Sequence, residues 1–110
     1  MALGAVYLLD ADAESGPRGI IAVGIEAPAL GRISSMWVEP ELRGCGGAEA
    51  LLAHALAWAR NERVEKIVLS VVKANTRARR FYERNGFIPT GREIVGPITG
   101  NLEIEMQRDL

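Results

Sequence analysis

A glycine-rich segment lies between an apolar run and a helical pattern, and it constrains the fold of this chain more than any other feature. After Val38 the sequence reads Glu39-Pro40-Glu41-Leu42-Arg43-Gly44-Cys45-Gly46-Gly47-Ala48. Glycines let a ligand approach the backbone closely, and the start of a helix offers unpaired N–H groups and partial positive charge. Arg43 adds a full positive charge. The order of strand, basic residue, glycine loop and helix predicts a site for a pyrophosphate-bearing ligand.

Composition restricts the classes of protein to which that site can belong. With 110 residues the chain has room for one domain, 1–110, and one core. Thirteen basic and fourteen acidic residues leave a net charge of −1, so bulk electrostatics do not favour a nucleic-acid partner. One cysteine, Cys45, and one histidine cannot supply a disulfide or a His/Cys metal site. No apolar run is long enough to cross a bilayer, and we expect a cytoplasmic protein without a membrane partner.

The remaining pattern predicts alternating strands and helices. Apolar runs predict strands at residues 5–10, 19–26 and 33–38, of which the first two would form a hairpin. Helical spacing predicts a helix over 48–61 and a second over 75–85, separated by a buried strand at Lys66–Val72. Two short strands at 87–90 and 102–108, joined by a loop over 91–101, complete the chain. The central strand, helix and strand predict a parallel βαβ unit, and the fold class is α+β, or mixed α/β.

A glycine loop alone does not identify its ligand, because nucleotides, dinucleotides and coenzyme A are all bound in this way. A P-loop requires Lys and then Ser or Thr after its last glycine, and neither follows here. A dinucleotide fingerprint requires a third glycine where the chain has Glu49, and an acidic residue where the next strand ends in Lys73-Ala74-Asn75. Both of these alternatives fit poorly.

Two blocks of the sequence resemble the GNAT superfamily of N-acetyltransferases. The coenzyme A signature of that family is Arg or Gln, two residues, Gly, one residue, and Gly or Ala, and it is matched by Arg43, Gly46 and Ala48. A second block is similar to the end of the coenzyme A half in these enzymes, and it comprises Asn75, Ala78 and Phe81-Tyr82-Glu83-Arg84-Asn85-Gly86-Phe87. The resemblance implies a GNAT-like fold with a mixed central sheet, acetyl-CoA as acyl donor and direct transfer of the acetyl group to a primary amine.

The resemblance also implies roles for individual residues. Tyr82 matches the tyrosine that protonates the departing thiolate in many members. The base is open between Glu39, at the end of the strand before the loop, and Glu26 on the preceding strand. In the family, the strand directly before the glycine loop splays away from the next strand in the chain, and its backbone pairs with the pantetheine arm of the coenzyme. The residues implied to bind the coenzyme are Trp37, Val38, Arg43, Gly44, Cys45, Gly46, Gly47, Ala48 and Asn75.

Two departures from the family pattern bear on function. Gly47 stands where Ile or Val is usual, which removes a buried anchor from the loop. The run at 5–10 resembles the second strand of the family, so the first strand and the next two helices are absent and apolar sheet surface is left to be covered. We expect a homodimer that covers this surface and builds the acceptor site. Alternatively, the chain is a truncated module that binds coenzyme A with little or no turnover, or its acceptor is large and needs an open cleft.

Overall fold

The computed structural model describes residues 4–9 and 16–110. Within these described residues, six strands form one mixed sheet, in the spatial order β1-β2-β3-β4-β6-β5. The strands are β1 (Gly4–Leu9), β2 (Gly19–Ala27), β3 (Leu30–Val38), β4 (Lys66–Val72), β5 (Ile88–Val95) and β6 (Leu102–Asp109). The helices are α1 (Gly47–Asn61) and α2 (Thr76–Arg84), and a 3₁₀ turn at Pro40–Leu42 precedes α1. The predicted fold class is confirmed.

The parallel βαβ unit predicted from the sequence forms, but its two strands pair only briefly. β3 and β4 are hydrogen-bonded neighbours from Leu30↔Lys66 to Arg32↔Val68, and from Ile33 onward β3 has no partner in β4. A register shift between β2 and β3 at Ala22/Val23 lies close to this point. Such bulges bend a strand and increase its twist. The two central strands therefore diverge, and a V-shaped opening begins just beyond Arg32.

Both helices lie on one face of the sheet and share its core. The face of α1 that packs on the sheet repeats every three to four residues, as predicted, and consists of Leu51, Leu52, Ala55, Leu56 and Ala59. On the other helix Tyr82 is the buried residue, and Phe87 follows it with 1% of its surface exposed. Ile67, Leu69 and Val71 of β4 join the same core, as expected for a central strand. The core thus fixes α1 and α2 beside the opening between β3 and β4.

The opposite face of the sheet carries exposed apolar side chains. The register pairs Leu8 with Ile20 and Ile20 with Trp37, so these three lie side by side on one face. Val6 is 60% exposed, Leu8 51% and Trp37 46%. Because their neighbours Tyr7, Ile21 and Met36 face the core, these exposed residues point away from the helices. The apolar sheet surface expected from the sequence is present on this face.

Three predicted boundaries need correction. β3 begins at Leu30, because Gly31 lies within the strand, where a Cβ would come 3.2 Å from Val64 Cγ1. β5 extends to Val95, since Gly91, with a φ of 93°, forms a bulge rather than starting a loop. The connection to β6 is correspondingly shorter than the predicted loop over 91–101. β1 and β2 pair antiparallel as predicted, although residues 10–15 of the predicted turn lie outside the described residues.

None of the helices in the described ranges has the length and apolar character needed to span a membrane.

Candidate active site

The glycine loop has the backbone geometry that a bound phosphate requires. Gly44 and Gly46 have φ angles of 83° and 87°, which favour glycine. Among the described residues, a Cβ at either position would meet nothing within 4 Å, so they leave the space in front of the loop open. Gly46 is the N-cap of α1 and offers no side chain to the helix. Within residues 4–9 and 16–110, the N–H groups of Gly47 and Ala48 have no acceptor, and they remain available to a ligand.

Arg43 is held at the entrance of this loop by the strand that precedes it. Its Nε donates a hydrogen bond of 3.0 Å to the carbonyl oxygen of Val38. The side chain is otherwise exposed. This contact leaves the two terminal nitrogens of the guanidinium as donors and places the charge beside the last residue of β3.

A groove of about 580 Å³ lies between the loop, the end of β3 and α2. It brings together most of the residues predicted to contact coenzyme A or to act in catalysis. Those that line it are Trp37, Val38, Arg43, Gly44, Ala48, Asn75 and Tyr82. Two blocks that are distant in sequence therefore meet at one groove, on the same side of the sheet as the helices.

Four other predicted residues do not line the groove. Cys45 is exposed, and Gly46 shapes the loop through its φ angle. Gly47 faces β1 instead, where a Cβ would come 2.5 Å from Leu9 Cδ2. The Leu9 side chain thus fills the space that a larger residue at position 47 would take. Glu39 forms an ion pair with Arg18, with 2.6 Å between Oε2 and Nε.

The groove has more positive charge than the sequence analysis predicted. Arg77, Arg80 and Arg84 of α2 also line it, together with Arg43, and among the described lining residues Glu49 supplies the only carboxylate. Their spacing of three and four residues puts the three helix arginines on one face. That spacing is visible in the sequence, but it does not reveal which face of α2 meets the glycine loop. A chain with a net charge of −1 therefore carries a locally basic groove.

Tyr82 is placed to remain protonated. It is 8% exposed and makes edge contacts with Phe81 and Phe87, at ring-centre distances of 5.4 and 5.6 Å. Burial raises the pKa of Tyr82 to about 12, because the phenolate would be poorly solvated. Its hydroxyl forms no hydrogen bond with the described residues, yet it is not sealed from solvent. The hydroxyl is therefore a neutral donor at the wall of the groove.

Asn75 has a structural role in addition to its position in the groove. Its Oδ1 accepts a hydrogen bond of 3.2 Å from the backbone N–H of Ala78 and caps α2, as predicted. The side-chain NH₂ group is not used by the cap. Capping and contact with a ligand are therefore compatible at this residue.

Glu26 belongs to a polar cluster on the other face of the sheet. Its Oε1 accepts a 2.6 Å hydrogen bond from Nε of Arg32, whose Nη2 lies 3.4 Å from Glu105 Oε2. Burial alone would lower the pKa of Arg32, but the hydrogen bonds and charges of Glu26 and Glu105 raise it overall. Among the described side chains, no group of three His, Cys, Asp or Glu residues is arranged to hold a metal ion.

Comparisons with known proteins agree with this arrangement. The model of the Acetyltransferase (GNAT) family matches residues 4–87. A mycothiol acetyltransferase from Thermobispora bispora is 39% identical over 66 residues, which cover 60% of this chain and 22% of that protein. The peptidyl-lysine N-acetyltransferase YjaB from Escherichia coli is 33% identical over 63 residues, which cover 57% of this chain and 40% of its own length. The chain therefore matches less than half of either relative.

Solved structures share the fold at low sequence identity. A candidate streptothricin acetyltransferase from Bacillus anthracis, crystallised in complex with acetyl coenzyme A, superimposes with a TM-score of 0.79. It is 22% identical, and the superposition covers 97% of this chain and 62% of that one. At this identity the likeness concerns the fold alone.

Proposed function

The chain belongs to the GNAT family of acetyltransferases, and we propose that it transfers the acetyl group of acetyl-CoA directly to a primary amine. The observation that carries the proposal is the groove in which an open glycine loop, four arginines and a buried tyrosine meet. Acetyl-CoA would supply an activated thioester and a phosphate-rich handle. The names of the relatives, which are acetyltransferases, support the same reaction.

The residues present fit the phosphates of coenzyme A. The open space before Gly44 and Gly46 admits a phosphate close to the backbone, and the free N–H groups of Gly47 and Ala48 would donate to it. Arg43 would add a charge-assisted hydrogen bond, which contributes about 1.5–3 kcal/mol. The helix arginines give the rest of the groove the charge that a polyanion requires.

The end of β3 offers a binding edge for the pantetheine arm. In the part of the chain that the structure describes, the side of β3 that faces β4 has no strand partner from Ile33 onward. Trp37 and Val38 line the groove along this edge. An extended amide-containing arm can pair with such an edge as an added strand does. The thioester would then lie in the opening between β3 and β4.

Tyr82 is proposed as the acid of the reaction. The amine nitrogen attacks the carbonyl carbon of the thioester, a C–N bond forms and the C–S bond breaks. The departing sulfur takes the hydroxyl proton of Tyr82, which solvent then replaces, so the products are an amide and free coenzyme A. Because the pKa of Tyr82 is about 12, the donor form is populated throughout the neutral range.

The amine must lose a proton before or during its attack, and two carboxylates are proposed to take it. Glu39 keeps 33% of its side chain exposed beside Arg18, and Glu26 keeps 42% exposed beside Arg32. Either could act through a water molecule. To identify the general base, each glutamate is replaced separately by Gln and kcat is compared at several pH values. The base is the glutamate whose replacement removes the acidic limb of the pH profile.

The experiment that tests the function follows thiol release from acetyl-CoA with a panel of primary amines. We expect turnover, and we expect Tyr82→Phe to lower kcat by about 10²–10⁴-fold while acetyl-CoA binding by calorimetry is retained. Tyr7→Phe is the matched control, because Tyr7 stacks on His54 away from the groove. Since the Tyr82 hydroxyl makes no hydrogen bond within the described structure, its removal costs little stability.

Two results would contradict this function in different ways. If Arg43→Ala and Gly46→Glu leave acetyl-CoA affinity unchanged, the groove does not bind the coenzyme. If acetyl-CoA binds but no amine releases thiol, the chain is the non-catalytic coenzyme A-binding module that is the alternative to an enzyme.

We also propose that the protein acts as a homodimer. The exposed apolar face that includes Val6, Leu8 and Trp37 supports this, because burial of such a surface stabilises an interface. Leu8→Lys should shift sedimentation toward a monomer at micromolar concentration. Ile98→Lys is the matched control, since Ile98 is 96% exposed outside this face. A wild-type monomer under these conditions would contradict the proposal.

A further inference from the structure

A second pocket lies on the face of the sheet opposite the helices, at the point where β3 and β4 separate. Its volume is about 110 Å³, and it is lined by Arg32, Ser70, Arg92, Ile94 and Glu105. The neighbours of Arg32, Ser70 and Glu105 in their strands face the core, so these three side chains point to the other side. The last β3–β4 pair is Arg32↔Val68, and the pocket therefore adjoins the apex of the opening.

A bulge in β5 directs Arg92 to this pocket and brings Thr90 to the Glu105 carboxylate at its wall. The pairing of β5 with β6 passes from Pro89↔Met106 to Glu93↔Ile104, so three residues of β5 stand opposite Glu105. Gly91 adopts the positive φ that this requires, and Thr90 Oγ1 accepts from the Arg92 backbone N–H at 3.2 Å. Thr90 Oγ1 also donates to Glu105 Oε1 at 3.1 Å. Bulges of this kind re-aim side chains beside functional sites.

The charges of the cluster are balanced, and Arg92 is the most loosely paired of them. Arg32 and Arg92 carry two positive charges, and Glu26 and Glu105 carry two negative ones. Arg92 is 69% exposed and lies 4.0 Å from Glu105 Oε2, a distance at which an ion pair contributes little. The Arg92 guanidinium can therefore turn to another carboxylate at small cost and bind it with two parallel hydrogen bonds. Glu105 retains acceptor positions for an ammonium group.

The size and polarity of the pocket select among amines. A volume of about 110 Å³ equals that of roughly four water molecules, which is room for an amino group, a carboxylate and the carbon between them. A polycationic amine would meet two arginines, whereas a zwitterion finds an opposite charge for each of its ends. Ile94 provides an apolar contact at the rim.

We propose that this pocket holds the amino and carboxylate groups of a free α-amino acid, which is the acetyl acceptor. The inference rests on the proposed acetyl transfer and names its substrate class. Glu105 binds the ammonium group and Arg92 the carboxylate, while the side chain of the amino acid extends to solvent. An amine at Glu105 lies near Glu26, because both carboxylates pair with Arg32. Glu39 is seven residues beyond Arg32 in the sequence, which corresponds to roughly 23 Å along an extended strand. Glu26 or water then receives the proton.

The test compares free α-amino acids with their α-carboxamides at saturating acetyl-CoA. We expect kcat/KM for the free acid to exceed that for its amide by about tenfold or more, because only the acid pairs with Arg92. Arg92→Gln should abolish this preference by lowering kcat/KM for the acid and leaving the amide unchanged. Glu105→Gln should lower both. Arg60→Gln is the control, since Arg60 is exposed in the last turn of α1.

A binding measurement does not depend on turnover. In the presence of coenzyme A, titration with a free amino acid should shift the backbone amide resonances of Ser70 and Glu105, and the carboxamide should need a concentration about tenfold higher or more to produce the same shift. Equal kcat/KM for acid and amide, an acid preference that survives Arg92→Gln, or faster turnover of peptide amines than of amino acids would overturn the inference. Failure of acetyl-CoA to bind the wild-type protein would overturn the proposed function itself, so the two failures are distinguishable.

Discussion

The contact between Gly47 and Leu9 allows a quantitative prediction about how the glycine loop is anchored. Compared with the Ile or Val that is usual at this position in the family, Gly47 leaves the loop without a buried side chain. In the structure Leu9 of β1 fills that space, because a Cβ at position 47 would come 2.5 Å from Leu9 Cδ2. Ordinary carbon contacts lie at about 3.5–4.0 Å, so Gly47→Val requires the Leu9 methyl group to move by about 1 Å or more.

The cost of that movement can be worked out from the surroundings of Leu9. On its other side Leu9 packs against Gly19, where a Cβ would come 3.1 Å from Leu9 Cβ, so the side chain has little free space. Overpacking of this kind costs about 1–3 kcal/mol. The loss of glycine at the start of α1 offsets part of it, by at most about 1 kcal/mol. We therefore expect Gly47→Val to lower the free energy of unfolding by about 1–2 kcal/mol.

The same substitution should behave differently once Leu9 is truncated. In a Leu9→Ala background the space beside position 47 is empty, and the valine side chain introduced by Gly47→Val can fill it. The double variant should thus be more stable than the sum of the single changes by about 1–2 kcal/mol, within the range of coupling energies between contacting residues.

Urea unfolding of the four proteins in this cycle measures the coupling. With m values of about 1–3 kcal/mol/M, a change of 1 kcal/mol moves the midpoint by roughly 0.3–1 M. Leu9→Ala alone should also weaken acetyl-CoA binding, because the loop loses its anchor. Additive effects of the two substitutions, or a wild-type midpoint for Gly47→Val, would refute the reasoning.

Three further predictions concern the groove. Because burial raises the pKa of Tyr82 from 10 to about 12, the unfolded chain ionises first, and the free energy of unfolding present below pH 10 should fall by about 2–3 kcal/mol as pH rises from 10 to 12. Tyrosinate absorbance of Tyr7→Phe, which retains one tyrosine, should titrate near 12. Asn75→Ala should cost about 1 kcal/mol in urea unfolding, whereas Asn75→Asp should keep the cap and still weaken acetyl-CoA binding. Arg80→Gln should reduce the salt dependence of acetyl-CoA affinity measured by calorimetry, and an unchanged salt slope would place Arg80 outside the coenzyme site.

The sequence predicted those parts of the fold that depend on local patterns. The helix α1, the buried strand β4 and the cap at Asn75 each rest on residues adjacent in the chain, and all three were confirmed. The predictions at Gly31 and Gly91 were wrong, because the sequence pattern of a glycine within a strand does not differ from that of a glycine in a turn. Glycine in a strand interior instead marks close packing or a bulge.

The parts of the site that escaped prediction depend on contacts between distant strands. Leu9 meets Gly47 only because β1 lies against α1, and Thr90 meets Glu105 only through the register of β5 and β6. No local pattern fixes a register across a bulge. The arginines of α2 are a different case. Their spacing on one helix face was visible in the sequence, but the sequence did not show that this face meets the glycine loop.

The separation of β3 from β4 links the two pockets. On the helix side, the end of pairing at Arg32↔Val68 leaves the edge of β3 free along the groove. On the other side, the same separation exposes Arg32 and Ser70 to the smaller pocket. A donor approaching from one face and an acceptor from the other would therefore meet between the strands, where neither needs to displace the other. Substitutions in the smaller pocket should accordingly change the kinetics of the acceptor and leave the affinity for acetyl-CoA unchanged, whereas substitutions in the groove should do the reverse.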